Sequence, residues 1–437
     1  MVVQHNMQAM NANRMLNVTT SAQSKSTEKL SSGYRINRAA DDAAGLTISE
    51  KMRKQIRGLD QASTNAEDGV SSVQTAEGAL TEVHSMLQRM NELATQAANG
   101  TNSKDSDRQA IQDEIDQLTT EIDRVSETTK FNETYLLKGD KASTKNVFMN
   151  GHDAGLKGTL TDSAKSATFV MDELKAGDKI TIAGKEYSIG STADEAKASY
   201  AKAAAGDKVT IDGTEYTVVD AATGTEDADN NQLKVTSLDA KVKDGSVVSY
   251  KTSKLTVMTD AKKADGTQGT DGIDDDDSSV ISKDVAESKI LSELTAANNI
   301  GTIDHAATVT NATANGKTTY TISKGYATVA DTLSFNLHVG ADADMTNKIN
   351  VSIDSMDSAS LGIKGLNIKD DSGNAATYAV DAISDAISKV SSQRSSLGAV
   401  QNRLEHTINN LDNVVENTTT AESRIRDTDM ASEMVNY

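Results

Sequence analysis

The chain has 437 residues, of which 37% are hydrophobic and 3% aromatic, and it contains no Trp, Cys or Pro. A formal net charge of −20 argues against nucleic acid and anionic membranes as partners, because both would repel the chain. The lack of Cys excludes disulfides and Cys-ligated metals, and the scarcity of aromatic residues favours long helices with narrow apolar seams over one large globular core.

The N-terminal residues 1–6 lack the basic start and apolar run of a secretory signal peptide. The sequence also contains no stretch of 18 apolar residues, so no membrane-spanning helix is predicted. We therefore expect any export of this chain to use a route that needs no cleaved signal.

The segment from about Leu46 to Ala98 predicts a single long amphipathic helix, because its apolar residues recur at steps of three or four. At 1.5 Å per residue this helix would extend roughly 80 Å. Asn99 and Gly100 follow it and predict a left-handed C-cap.

A second helix is predicted after a short loop, beginning at Ser106, with Gln109 completing a capping box. Its seam consists of Ile111, Ile115, Leu118, Ile122 and Val125. A short loop between two long helices predicts that they lie antiparallel.

Residues 141–325 are rich in Thr, Gly, Ala and Asp and contain short alternating runs, which predicts a β-rich insertion. One unit occurs twice, at 176–187 and 205–216. Each copy predicts a hairpin, with its turn at Ala183-Gly184 or Asp212-Gly213. Residues 333–339 and 349–353 predict the strands that lead the chain back to the helices.

The C-terminal part again predicts a long helix, since apolar residues recur there every seven positions, at Ile383, Val390, Leu397, Leu404 and Leu411. The apolar seams of the three predicted helices have no other core to pack against, so we expect them to pack together in one helical bundle. The fold class is therefore α+β: an elongated antiparallel helical bundle or coiled coil formed by both chain ends, carrying a β-rich inserted outer domain.

Four motifs in the two terminal parts resemble bacterial flagellins: 30–37 (LSSGYRIN), 39–46 (AADDAAGL), 397–404 (LGAVQNRL) and 423–429 (SRIRDTD). The resemblance covers roughly 1–140 and 330–437. It implies an N-terminal inner-core segment at 1–44, a helical rod at 45–140 and 326–425, a variable β-rich surface domain at 141–325, and a C-terminal inner-core segment at 426–437. Relatives of this kind continue for several turns beyond Met434, so we expect the chain to be truncated within its C-terminal inner-core helix.

The resemblance also implies function. Flagellins are secreted structural subunits that polymerise into the extracellular filament of the bacterial flagellum for motility. The implied partners are other flagellin subunits, a flagellar export chaperone, and the cap and junction proteins. Two alternatives remain at this stage: a hook–filament junction protein, and a monomeric secreted flagellin-like ligand.

Subunit packing is expected at the small and charged residues of the matching motifs. By resemblance these are Ala39, Ala40, Asp41, Asp42, Gly45, Leu46, Arg424 and Asp427. Basic residues predominate between Lys25 and Arg57, and acidic residues predominate after Glu416. Complementary charge is therefore expected to guide the pairing of the two arms, although each exposed pair contributes at most about 1 kcal/mol.

Residues 87–93 (LQRMNEL) resemble the flagellin stretch that Toll-like receptor 5 recognises. The resemblance implies receptor contacts at Gln88, Arg89, Leu93 and Glu114, with Arg89 as a planar hydrogen-bonding anchor and Leu93 as an apolar one. The alternative is purely structural, because Leu87 and Leu93 also belong to the apolar seam.

No residue pattern predicts catalysis, a cofactor or a metal. The six His residues never pair at helical metal-ligand spacing, and neither a zinc-protease motif, a phosphate-binding loop nor a nucleophile elbow is present. The acidic run 271–277 fits no known calcium loop and is interpreted as a solvated loop. The sequence thus predicts a protein that is not an enzyme.

Overall fold

The computed structural model describes residues 6–103, 106–263, 266–370 and 372–437. The start of the chain at residues 1–5, interpreted above as lacking a signal peptide, lies outside the described residues. Among the described helices, none combines the length and apolar character needed to cross a membrane.

Long helices occupy both ends of the chain and shorter helices lie between them. The helices are α1 (Met7–Ser32), α2 (Ala43–Ala97), α3 (Asp107–Thr128), α4 (Ala193–Tyr200), α5 (Val235–Asp239), α6 (Lys283–Asn298), α7 (Ser358–Leu361), α8 (Asn374–Arg426) and α9 (Met430–Asn436). A short 3₁₀ turn spans Met345–Asn347.

The strands fall between α3 and α7. They are β1 (Lys130–Phe131), β2 (Thr134–Tyr135), β3 (Asp140–Phe148), β4 (Thr159–Asp162), β5 (Ser166–Asp172), β6 (Lys179–Ile182), β7 (Lys185–Ile189), β8 (Lys208–Ile211), β9 (Thr214–Val218), β10 (Gln232–Leu233), β11 (Val247–Tyr250), β12 (Ser253–Thr256), β13 (Val280–Ile281), β14 (Thr308–Ala314), β15 (Lys317–Ser323), β16 (Tyr326–Asp331), β17 (Leu333–His338) and β18 (Lys348–Ile353). This arrangement confirms the predicted α+β class.

The rod is built on α2 and α8, which run antiparallel. Contacts along the two helices follow opposite orders, from Ser49–Glu422 through Ser63–Asp412 to Glu77–Arg394. The predicted seams of α2, α3 and α8 meet in one core, whose buried members include Val73, Leu80, Val83, Leu87, Met90, Ile115, Ile122, Ile383, Val390 and Leu397. Each helix is amphipathic, so burying these seams against one another supplies the stability that an isolated helix lacks.

The hairpin of β17 and β18 packs across α2. Leu337, Val339 and Ile349 of the hairpin region pack with Ala66 of α2 and with Leu404 of α8. The hairpin packs closely against α2 because Gly69 has no side chain: a Cβ there would lie 2.2 Å from Leu337 Cδ1. The prediction that 333–339 and 349–353 are strands is confirmed, and their pairing joins Leu333 to Ile353 in antiparallel register.

The end of α2 differs from the prediction. The helix closes at Ala98 in the right-handed region, and Gly100 does not adopt a positive φ. Ser106 likewise makes no capping hydrogen bond to α3. Other contacts are made at these positions: Arg108 donates hydrogen bonds to the carbonyls of Ala97 and Asn99, and the Ser103 hydroxyl accepts from the N–H of Asp107.

Arg108 connects three elements at the distal end of the rod. Its side chain is 1% exposed, and it donates to the carbonyls of Ala97, Asn99 and Asp370. Asp370 in turn accepts from the backbone N–H groups that open α8, including that of Gly373. A single guanidinium therefore positions the end of α2, the start of α3 and the start of α8.

The outer part of the chain consists of small sheets. Four strands pair in the order β14-β15-β5-β4, three in the order β13-β7-β6, and five in the order β10-β9-β8-β11-β12. The two predicted hairpins are confirmed, with Ala183-Gly184 and Asp212-Gly213 in turns whose residues all have positive φ. Such turns match the twist of the flanking strands.

A third copy of the hairpin unit follows at 245–257. The sequence analysis identified only the first two copies of this internal repeat. In each copy a glycine N–H donates to the carbonyl at the end of the second strand: Gly177 to Ile189, Gly206 to Val218 and Gly245 to Val257. Ser246 replaces the aspartate of the first two copies. The second and third copies share the five-stranded sheet and a separate core that includes Tyr200, Val209, Leu238 and Val248.

The outer domain joins the rod through His152. Its backbone N–H donates to Asn298 of α6 and its carbonyl accepts from the same side chain, each over 2.9 Å. Its ring Nε2 lies 3.3 Å from Asp385 Oδ2 of α8. A second tie runs from the Tyr378 hydroxyl of α8 to Glu293 of α6. These contacts determine where α6 sits on the rod.

Substituting Arg108 tests the distal connection. We expect Arg108→Met to lower the free energy of unfolding by about 3 kcal/mol, because methionine preserves the aliphatic bulk but leaves buried carbonyls without donors. Urea unfolding followed by far-UV circular dichroism measures the change. Arg124→Met is the control, since Arg124 is an exposed arginine of the same helix that pairs with Glu121. Equal losses in the two variants would contradict a special role for Arg108.

Substituting His152 tests the joint as a function of pH. Burial alone would lower the pKa of His152, but the hydrogen bond to Asp385 and the charges of Asp381 and Asp153 raise that pKa above 6.5. Burial also opposes ionisation of Asp385, yet the His152 hydrogen bond lowers the pKa of that carboxyl below 3.8. A raised histidine pKa stabilises the fold below pH 6.5, and a lowered aspartate pKa stabilises it above pH 3.8.

The pair is therefore strongest between these two pH values, and its contribution fades as the pH rises through the folded-state pKa of His152. We expect His152→Gln to lower the free energy of unfolding by roughly 1 kcal/mol at about pH 5.5 and by much less at about pH 8.5. Urea unfolding at both pH values measures the difference. His406→Gln, an exposed change on α8, should show no such dependence. A His152→Gln effect that is the same at both pH values would refute the pairing.

Candidate assembly and recognition surfaces

Helix α1 exposes apolar side chains along its length. It has 26 residues and none of them is buried. Met7, Met10 and Val18 are between 60% and 71% exposed and lie on one side of the helix, flanking Arg14. The first half of this helix therefore gains little from burial within its own chain, whereas an isolated helix of this composition is marginal in water.

Helix α9 packs against the second half of α1. Glu433 accepts from Ser26 and lies 3.9 Å from Lys29 Nζ, which matches the expectation that basic and acidic arms pair. Beyond this contact, Met434 and Val435 are 68% and 87% exposed. The two terminal helices thus present a joint apolar surface outside the rod.

An elbow joins these terminal helices to the rod. The N–H of Arg35 donates to Arg426 O over 2.7 Å, and the N–H of Thr428 donates to Gly33 O over 3.0 Å. The Arg426 guanidinium lies 4.7 Å from the Tyr34 ring centroid, and its Nη1 lies 3.0 Å from a Glu50 oxygen. This short bridge between distant parts of the chain holds the arms at a defined place on the rod.

The residues predicted for subunit packing divide into two groups. Four of them are engaged in the elbow of their own chain. Asp42 caps α2 by accepting from the N–H of Gly45. Gly45 is buried and closely packed, since a Cβ there would lie 2.8 Å from Ile36 Cδ1. Asp41 accepts from the N–H groups of Arg38 and Asn37, which hold the pKa of its carboxyl below the usual value. Asp427 forms the bridge to Tyr34.

The remaining members of that set stay accessible. Ala39, Ala40 and Arg424 are exposed, and Leu46 is half-buried. These four positions are free to meet another molecule. The motif as a whole therefore combines residues that shape the elbow with residues that surround it.

Three elbow residues were missed by sequence reasoning. Ile36 is 2% exposed under the α2 N-terminus, and Ser49, which is fully buried, donates to Glu422 over 2.6 Å. Arg426 was included only as a member of the motif 423–429. A lone serine or arginine carries no periodic signal, so only the apolar Ile36 within a loop offered a clue.

The expected receptor residues lie on neighbouring faces of α2 and α3. Arg89 Nε donates to Glu114 over 2.9 Å and Nη1 donates to Glu92 over 3.2 Å, and these hydrogen bonds raise the pKa of Arg89. Gln88 is exposed and hydrogen-bonds His84. Leu93 differs from the expectation of an apolar receptor anchor. It is 2% exposed and faces the rod core, because it belongs to the apolar seam of α2.

The acidic run 271–277 is more ordered than the interpretation as a solvated loop suggested. Asp274 is buried and accepts from the N–H groups of Thr259, Asp276 and Asp277. Its oxygens are thus occupied by the backbone. Within the part of the chain that the structure describes, no group of His, Asp and Glu is arranged to hold a metal ion.

Comparison with known proteins identifies both terminal regions. The family described as the bacterial flagellin N-terminal helical region matches residues 3–142, and the bacterial flagellin C-terminal helical region matches residues 380–437. A flagellin of Clostridium tyrobutyricum is 38% identical over all of this chain and 94% of its own length. A flagellin of Bacillus subtilis is 33% identical, covering all of this chain and 90% of its own length.

Among solved structures, FliC of Burkholderia pseudomallei matches with a TM-score of 0.30 and 18% identity, covering 77% of this chain and 99% of its own. A flagellar hook-associated protein-3 of Legionella pneumophila matches with a TM-score of 0.36 and 14% identity, covering 86% and 98% of the two chains. TM-scores and sequence identities this low do not support an inference about fold or function. The family assignment therefore rests on the sequence relatives. The chain belongs to the bacterial flagellin family and is a structural subunit of the flagellar filament.

Proposed function

We propose that this chain polymerises with identical copies through the exposed apolar surface of α1 and α9. One observation carries the proposal: a 26-residue helix without a single buried residue lies outside an otherwise well-packed rod. Contiguous exposed apolar surface of this kind is typical of an interaction site. Packing unlike surfaces of successive copies produces an open filament rather than a ring when the rotation between copies does not close.

The same terminal helices are proposed to contact the export chaperone, the cap and the junction proteins of an extracellular flagellum. Their accessibility supports this, because a partner can cover them before or during assembly without unfolding the rod. We also propose that the chain has no enzymatic activity. Family membership supports this, because flagellins are a family of structural proteins, and it also favours a filament subunit over the junction-protein and secreted-ligand alternatives.

Charged substitutions on α1 test the assembly surface. We expect Met10→Glu combined with Val18→Glu to abolish filaments, because two carboxylates would replace the apolar surface that a neighbouring copy would bury, and Arg14 between them can neutralise only one. Electron microscopy and sedimentation under a polymerising salt measure the outcome. The control combines Ile303→Glu with Met345→Glu, which adds the same charge at exposed apolar positions away from the terminal helices. Filaments from the α1 variant as abundant as those from the control would overturn the proposal.

A second role, binding to Toll-like receptor 5, is proposed on the geometry around Arg89. The Arg89 side chain is 50% exposed, yet the carboxylates of Glu92 and Glu114 hold its guanidinium in place. A preorganised arginine on a helical face loses little conformational freedom when a partner binds, which favours a binding hot spot. Gln88 and Glu114 complete the proposed contact, and Leu93 supports it from the core.

Affinity for the purified receptor ectodomain tests this role. Arg89→Ala should weaken binding about tenfold or more, which is the effect typical of a hot-spot arginine. Biolayer interferometry with the monomeric chain measures it. Arg124→Ala on α3 is the matched control, because it removes a slightly more exposed arginine that is also paired with a glutamate. Unchanged affinity in the Arg89 variant, or an equal loss in the control, would remove Arg89 from the proposed contact.

A further inference from the structure

We propose that five methionines of α1 and α9 form a peroxide-sensitive site, whose oxidation to methionine sulfoxide stops this chain from assembling with other copies. The site rests on the assembly surface proposed above and adds a covalent modification that controls it. We call these residues the terminal methionines: Met7, Met10, Met15, Met430 and Met434.

The terminal methionines are open to solvent. Their exposed fractions range from 47% at Met430 to 71% at Met7. Among the other methionines that the structure describes, only Met345 is exposed, at 74%, and it lies between β17 and β18, away from the terminal helices. The rest are buried or half-buried, and Met90 and Met356 belong to the rod core. A dissolved oxidant therefore reaches the terminal helices more easily than the rod core.

Methionine is the main apolar side chain of the proposed assembly surface. Of the described residues of α1 and α9, eight large apolar ones are exposed, and five of these are methionine. The other three are Leu16, Val18 and Val435. Leucine has a similar volume and an equal preference for helices, so packing alone does not require a thioether at these positions. The competing explanation is that methionine serves only as a flexible apolar contact, and the experiment below distinguishes the two.

The chemistry of the chain directs peroxide to methionine. Because the chain contains no Cys, its only sulfur atoms are those of methionine. Hydrogen peroxide transfers one oxygen atom to the thioether sulfur, which becomes a sulfoxide, and the peroxide is reduced to water. The sulfur loses two electrons and no bond to carbon breaks. An apolar, flexible side chain thus becomes a polar one with a hydrogen-bond acceptor.

This change opposes assembly without affecting the rod. A neighbouring copy that covers α1 and α9 would have to bury each sulfoxide oxygen without a donor, which is unfavourable. Methionine-rich interfaces are disrupted by oxidation for this reason. Met90 and Met356 are shielded in the rod core, so the oxidised chain should stay folded. Because reductases convert the sulfoxide back to the thioether, the block is reversible.

Hydrogen peroxide treatment of the monomeric full chain tests the proposal. Peptide mapping by mass spectrometry first finds a dose that oxidises the terminal methionines and Met345 but leaves Met90 intact. Under a polymerising salt, we expect the oxidised chain to leave about ten times more protein unsedimented than the untreated chain. The thermal unfolding of the rod should be unchanged. Filaments from the oxidised chain as abundant as those from the untreated chain would overturn the proposal.

Repair of the oxidised chain is the second readout and needs no substitution. Methionine sulfoxide reductases for both sulfoxide epimers, supplied with a thiol reductant, should restore the filaments. Repaired methionines without recovered filaments would show that other damage blocked assembly, which would also overturn the proposal.

Two variants locate the effect. Changing all five terminal methionines to leucine should give a chain that forms filaments before and after peroxide, because leucine keeps the apolar surface without the sulfur. Met345→Leu is the matched control: it removes the other exposed methionine, and its assembly should still be lost on oxidation. An equal loss of filaments in the five-leucine variant after peroxide would exclude the terminal methionines as the sensitive site.

Oxidation of preformed filaments separates this inference from the proposed assembly surface. The terminal methionines should be oxidised several-fold more slowly in filaments than in the monomer, whereas Met345 should keep its rate. Filaments without this protection would refute α1 and α9 as the assembly surface, and the peroxide-sensitive site with it. Protection in filaments together with normal assembly of the oxidised monomer would refute the peroxide-sensitive site alone.

Discussion

The antiparallel packing of α2 against α8 is the constraint on which the rest of the structure depends. It brings together two segments that are separated by roughly three hundred residues of chain, and it does so through apolar residues repeated at heptad spacing. Once Leu80, Leu87, Val390 and Leu397 share one core, the positions of both chain ends and of the insertion follow. The terminal helices emerge at one end of the pair, and the β-rich domain emerges toward the other.

Different forces act along the length of this pair. In the rod core the interaction is apolar and continuous, so it supplies stability without much directional information. At the elbow, directional contacts take over: the Arg426 guanidinium faces both Tyr34 and Glu50. Beyond the elbow, α1 has exposed apolar residues and few partners. Intramolecular packing therefore decreases toward the terminus, which is where the proposed contacts with other subunits lie.

Periodic features of the fold were predictable, whereas single long-range contacts were not. Repeated apolar steps located α2, α3 and α8, and the Asp212-Gly213 pair located a hairpin turn, because each is a local pattern with a local cause. Arg108 connects the end of α2 to the segment before α8 through contacts with Ala97 and Asp370 that no local pattern predicts. The third hairpin copy escaped notice because Ser246 retains the backbone geometry without the aspartate. At the candidate recognition surface, resemblance proposed Leu93 as an exposed anchor, whereas the apolar periodicity assigned it to the seam, and the structure places it in the core.

Buried polar contacts hold the places where other elements join the long helices. Arg108 lies at the distal end of α2, and His152 lies where α6 meets α8. An apolar seam permits small shifts in register, but a hydrogen bond to a particular carbonyl or carboxylate does not tolerate them. These residues therefore define how the insertion sits on the rod, at a cost in desolvation that only well-satisfied geometry offsets.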